Sequence, residues 1–115
     1  MANYNKIKGN KFEKEVLGML RANYIRAQRV VASGSVKEDS GDIIMTFDNT
    51  PYNIECKFHK TLPTTGMDKW LSDNDILIMK QNRGVAKVYM DFDTLLGLLV
   101  LSRKIKNELS QREEV

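Results

Sequence analysis

Two carboxylates and one ammonium stand in a pattern that suits phosphodiester chemistry. Asp42 lies in the run Ser-Gly-Asp-Ile-Ile-Met-Thr-Phe at 40–47, and Glu55 and Lys57 lie in Tyr-Asn-Ile-Glu-Cys-Lys at 52–57. The polar break Asp-Asn-Thr-Pro at 48–51 separates the two runs. Residues two apart on a strand share a face, so Glu55 and Lys57 point the same way. A hairpin turning over 48–51 brings Asp42 close to that pair across the ladder. Magnesium takes oxygen ligands and keeps several waters. Asp42 and Glu55 are the candidate direct ligands, and the backbone carbonyl of Cys56 is a further one. An ion held there would make a water easier to deprotonate and would neutralise charge building on the transition state. Lys57 would hold the attacking water or stabilise that charge. A Glu and a Lys two apart are also common as a solvated pair. What sets this pair apart is the Gly41-Asp42 step opening the partner strand.

The bulk properties bound the rest. A chain of 115 residues is enough for one compact domain, 1–115, and too short for two. A net charge of +3 and a pI near 9.0 permit nucleic-acid binding without demonstrating it, because the distribution of charge matters more than the sum. Cys56 is the one cysteine and His59 the one histidine. They exclude an internal disulfide and a multi-thiolate zinc site and argue against haem. The start carries no apolar signal segment, and the longest apolar run, Leu95 to Leu101, is far too short to cross a bilayer. The expected location is intracellular, in the cytoplasm.

Several elements must position the three residues. Residues 1–7 are polar and read as loose. From Lys8 the spacing of Phe12, Val16, Met19 and Leu20, widened by Leu17, predicts a helix ending near Asn23. Strands are predicted over 25–32, 41–47 and 52–58, followed by a short helix over 67–73 that turns Trp70 and Leu71 inward. Strands over 75–80 and 85–90 flank the turn Gln81-Asn82-Arg83-Gly84. A last helix runs from about Asp93 to Leu109, with Asp91 or Asp93 as its cap. The order αβββαββα predicts a mixed sheet flanked by helices, an α/β (α+β) fold. The run Leu95–Leu101 is apolar nearly all round, and a small domain offers few surfaces to cover it. It is therefore a candidate homodimer interface.

Four places in the chain resemble the PD-(D/E)XK nuclease superfamily, and within it the archaeal-type Holliday junction resolvases with their viral relatives. They are Lys8-Gly9-Asn10-Lys11-Phe12-Glu13, Ser33-Gly34-Ser35, Gly41-Asp42-Ile43 and Ile54-Glu55-Cys56-Lys57. The order of elements is also similar over roughly the first 90 residues. The resemblance implies a restriction-endonuclease-like core, a Mg2+ cofactor for which Mn2+ substitutes, and a homodimer that makes paired cuts across four-way DNA junctions. It implies that Asp42 and Glu55 bind the metal, that Lys57 is the catalytic lysine, and that Glu13 approaches the metal from the first helix through water. Ser35 would lie near a scissile phosphate. Read from the residues themselves, Lys6, Lys8, Lys11, Arg26, Arg29, Lys37, Lys57 and Lys60 fall in segments near the proposed site, and a basic surface there, with Ser33 and Ser35, would hold DNA. The segment from Ser35 to Asp42, with Glu38 and Asp39, is longer than the family's usual loop. Cys56 also stands where an apolar residue is more usual.

Two other readings fit the same residues. One is a repair, restriction or flap nuclease built on the same core. The other is a DNA-binding module that has kept the fold without catalysis. The lone loop residue His59 reads as solvent-exposed, and Trp70 as core and not as a base-stacking platform. Arg103, Lys104, Lys106 and Arg112 read as a solvated helix end. The small size fits a phage or an archaeal virus.

Overall fold

A computed structural model describes residues 4–30 and 42–113. The expectations for Ser33, Gly34, Ser35, Lys37, Glu38, Asp39 and Gly41 lie outside the described residues, as do those for the side chains of Lys6 and Lys8. The elements run α1 (Tyr4–Ala22), β1 (Arg26–Arg29), β2 (Ile43–Phe47), β3 (Thr50–His59), α2 (Met67–Leu71), β4 (Ile76–Gln81), β5 (Lys87–Met90) and α3 (Phe92–Glu113). This is the predicted order αβββαββα. The strands form one five-stranded sheet in the order β1-β2-β3-β4-β5. The β3–β4 pair is parallel and the other three pairs are antiparallel, so the sheet is mixed. The chain returns from β3 to β4 through α2, the crossover that parallel neighbours require.

The alternation of the strands decides what each face covers. Ile43, Met45, Tyr52, Ile54 and Ile76 share a core with Phe12, Val16 and Leu17 of α1. The opposite face is thinner, with Leu71 of α2 lying on Leu77 and Met79. The Tyr89 hydroxyl, on β5, donates to Asp68 of α2 and ties that short helix down. Trp70 is half-buried beside this second cluster and stacks on the exposed His59 ring, centroids 4.7 Å apart. It is thus a shielded edge more than a core residue.

Several boundaries differ from expectation. The first helix starts at Tyr4 and not at Lys8, which corrects the reading of residues 4–7 as loose; residues 1–3 lie outside the described residues. Gly9 is the weakest helix former of the first turns of α1, and its cost of about 1 kcal/mol is too small to delay the start. The break between β2 and β3 is two residues long, not four. Asp48 and Asn49 take positive φ, 49° and 63°, and Phe47 pairs with Thr50. This is the two-residue hairpin loop whose twist matches the strands, and Asp and Asn tolerate it better than most residues. Pro51 therefore lies inside β3. Odd-numbered residues of β3 direct their N–H groups toward β4, as Asn53 does toward Asp75. Pairing with β4 begins only at Ile54, so the missing N–H of Pro51 disrupts no ladder. Arg26–Arg29 and Lys87–Met90 are shorter than the predicted strands, Met67–Leu71 ends two residues early, and α3 extends to Glu113.

The last helix lies on the core face. Leu98 and Leu101 pack against the core, and Lys104 reaches Asp48 of the β2–β3 turn at 3.5 Å, so this lysine is paired where a solvated end was expected. At the start of α3 the Asp91 carbonyl, not a side chain, accepts from the Thr94 and Leu95 amides. Among the described residues no helix is long and apolar enough to cross a membrane.

Candidate active site

The sheet positions the three residues because β3 outruns β2. Ile43 pairs with Ile54, and the Asp42 N–H donates to the Ile54 carbonyl at 2.8 Å. Beyond that point β3 continues to His59 with β4 on one side only. The Asp42 side chain turns into the gap, and its Oδ2 accepts from the Cys56 N–H at 2.8 Å. In an extended strand the N–H and C=O of one residue leave on the same side. The Cys56 carbonyl therefore also leaves β3 toward Asp42. Glu55 and Lys57 flank Cys56 on the other face of the pleat, with Lys57 Nζ 3.6 Å from Glu55 Oε1.

Glu13 approaches from α1. It is buried, at 8% exposure, and is held by Arg29 of β1, whose Nε donates to Oε1 at 2.7 Å. Phe12 faces the core, and the next residue lies about 100° further round the helix, so Glu13 falls on the side facing β1 and the gap. Its charge acts on both Asp42 and Glu55.

These carboxylates are costly to charge together. Burial raises the pKa of Glu13, and the Arg29 hydrogen bond pulls it back. Burial also raises Asp42, against the Cys56 amide and the Lys57 charge. Glu55 is pushed from 4.5 up to about 7, first by burial and then by the Asp42 charge, despite Lys57. Burial likewise drives the Cys56 thiol well above its usual range, so that side chain acts as a small apolar group.

Among the described residues no three carboxylate, imidazole or thiol side chains form a ready cage for a metal. What the gap offers is two acids and a main-chain oxygen. This hard, all-oxygen set fits a cation that keeps part of its own water shell. Two half-buried acids whose charges oppose one another are also what a divalent cation would relieve.

Of the remaining predicted residues, Lys11 and Lys60 are exposed. Arg29 pairs with Glu13 through Nε, while its side chain stays 43% exposed. Sequence reasoning passed over that pairing, although Glu13 and Arg29 belong to the two elements that α1 packing joins. It also passed over Lys80 and Arg83. The parallel register sets Lys80 beside Phe58, and no local pattern announces a register between strands so far apart.

The five-stranded mixed sheet with its crossover helix is a restriction-endonuclease-like fold. A family model described as "Phage putative PDDEXK endonuclease" matches residues 4–113, and the chain belongs to that family. Among solved structures the chain is similar to Hjc, a Holliday junction resolvase from the archaeal hyperthermophile Archaeoglobus fulgidus. The two are 22% identical, with a TM-score of 0.55, over 71% of this chain and 76% of that one. At that identity the likeness is one of fold. No curated protein matches the chain. Nucleases of the PD-(D/E)XK type generally use divalent metals.

Proposed function

We propose that the chain is a Mg2+-dependent DNA endonuclease that cuts four-way junctions as a homodimer, with Asp42, Glu55 and Lys57 as its catalytic group. The observation that carries this reading is the Asp42 carboxylate on the Cys56 amide, beside a Glu55 whose charge is destabilised and a Lys57 within 3.6 Å of it. Asp42 and Glu55, with the Cys56 carbonyl, would hold the cation. When bound, the cation supplies Lewis acidity to the scissile phosphate and neutralises the charge that builds there.

The protein's own groups do the rest. The Cys56 N–H fixes one Asp42 oxygen and aims the other into the gap. Lys57, about one-third exposed, reaches water and donates to the attacking water or to a phosphate oxygen in the transition state. Glu13, paired with Arg29, would shape the wall of the gap and approach the metal through water.

A labelled four-way junction, a flap and a linear duplex, each with magnesium or with chelator, test the reading. Paired, metal-dependent incisions on the junction, faster than on flap or duplex, are expected. Preferred cutting of flap or duplex would point to another structure-specific nuclease of the same core. No cleavage of any substrate with magnesium or manganese would leave a DNA-binding module.

The dimer reading rests on α3. Phe92, Leu95, Leu96, Leu99 and Val100 recur at helical spacing, and all five are exposed, while Leu98 and Leu101 face the core. An apolar stripe of this kind is costly in water and matches a second copy of itself about a two-fold axis. The wild type is expected to sediment as a dimer at micromolar concentration. Leu99→Glu with Val100→Glu should sediment as a monomer with unchanged helix content, and should nick junctions without pairing the cuts. A monomeric wild type would end the dimer reading.

A further inference from the structure

We propose that the pocket between α1 and the β4–β5 turn is an anchor for one DNA backbone phosphate away from the cut. The proposal deepens the endonuclease reading and rests on it. The pocket is a cavity of about 250 Å³. Phe12 and Phe58, their ring centroids 6.2 Å apart, supply its apolar wall. Lys11, Lys80 and Arg83 supply three cations, and Asn82 supplies an amide, against the single carboxylate of Glu15. Among the described residues none of the three cations is in an ion pair, so their charge remains available to a ligand. An Arg fork and two ammonium groups around a concave space suit a phosphate, which accepts several charge-assisted hydrogen bonds at once.

The turn that carries Asn82 and Arg83 is built before any ligand arrives. The Gly84 N–H donates to the Gln81 carbonyl at 2.9 Å, and the Asn82 N–H donates to the His59 carbonyl at 3.0 Å. The Gln81 side chain accepts from the Leu62 N–H at 3.3 Å. A β-carbon on Gly84 would come within 2.6 Å of the Gln81 side chain and 3.2 Å of its carbonyl oxygen, so a larger residue there would displace Gln81. Arg83 itself is held at φ 62°. The backbone that carries these donors is therefore set in advance, while the exposed Asn82 and Arg83 side chains still order on binding at about 0.5–1.5 kcal/mol each.

The position fits a nucleic acid lying across α1. Consecutive helix residues are about 100° apart, so Lys11 and Glu13 leave α1 on opposite sides of the core-facing Phe12. Glu13 leads to the gap at Asp42, and Lys11 leads to the pocket. Phe58 lies about 7 Å beyond Cys56 along β3. The pocket and the gap at Asp42 therefore lie on either side of Phe12.

The test measures binding of a labelled four-way junction to the full chain in chelator over a range of salt. Lys80→Gln with Arg83→Gln should weaken binding about tenfold or more and make the dependence of log affinity on log salt shallower by about 0.9, the value of one phosphate. Arg83→Gln alone, at an exposed turn, should show part of the effect if the double variant folds poorly. Lys106→Gln with Arg112→Gln removes the same charge from α3 and should leave the slope at its wild-type value. An unchanged slope in the pocket variant, or an equal change in the α3 variant, overturns the anchor while leaving metal-dependent cleavage by the wild type as a separate result. A wild type that neither binds nor cuts DNA overturns both.

Discussion

Lys57→Ala is expected to lower single-turnover cleavage by about 10²- to 10³-fold, the usual loss when one donor to developing charge is removed. Its ammonium is 3.6 Å from Glu55 Oε1, and it favours the charged forms of both Asp42 and Glu55. Its removal therefore has two consequences that pH separates. The chemical step loses a donor at every pH. The two acids also become harder to ionise, so metal binding weakens near neutrality and recovers in alkali, where the acids are charged regardless. Manganese titration and cleavage measured together above pH 8 should show near-normal binding with deeply reduced turnover. A Lys57→Ala protein with wild-type turnover would remove the lysine from the chemistry.

Glu55→Gln should move stability and activity in opposite directions. The folded protein holds the Glu55 proton up to about pH 7, whereas the unfolded chain releases it near 4.5. Between these values the folded state binds more protons than the unfolded state, so stability falls as pH rises through the window and levels off above it. The difference corresponds to about 3 kcal/mol of folding free energy at pH 8. The side chain is only 17% exposed, so little of this is lost to solvent screening. A neutral amide avoids that cost. Without metal at pH 8, Glu55→Gln should melt roughly 10 °C above wild type, and the gap should close by about pH 4.5. Magnesium should stabilise the wild type and not the variant, and the variant should not cleave. Equal melting temperatures at pH 8 would mean that the folded state carries the Glu55 charge at no cost. Such a trade of stability for charge is what a buried binding site demands.

How much of this could be read in the chain depended on the range of the interactions. The closeness of Asp42, Glu55 and Lys57 follows from two local rules, strand alternation and hairpin return, so it was legible before any fold. The place of Glu13 on the inner side of α1 was half-legible, because the apolar stripe fixes the helix face but not the strand beneath it. Its partner Arg29 depends on how α1 crosses β1, which no local pattern encodes. The two-residue turn was misread because Pro51 resembles a strand breaker, and only the late start of β4 makes it harmless. The pocket was invisible, since Lys80 and Phe58 meet through a parallel register spanning α2. Glu55's raised pKa was hidden for the same reason. Burial by distant elements raises it, and the adjacent lysine alone would have argued for the reverse.

Cleavage depends on a cation held between Asp42, just ahead of β2, and Glu55 of β3, and diffraction from crystals grown with manganese tests that most directly. The expected result is one anomalous peak between the Asp42 and Glu55 carboxylates, within coordination distance of the Cys56 carbonyl and completed by water, and absent from Asp42→Asn crystals. No peak there at saturating manganese, or a peak that survives in Asp42→Asn, would contradict it.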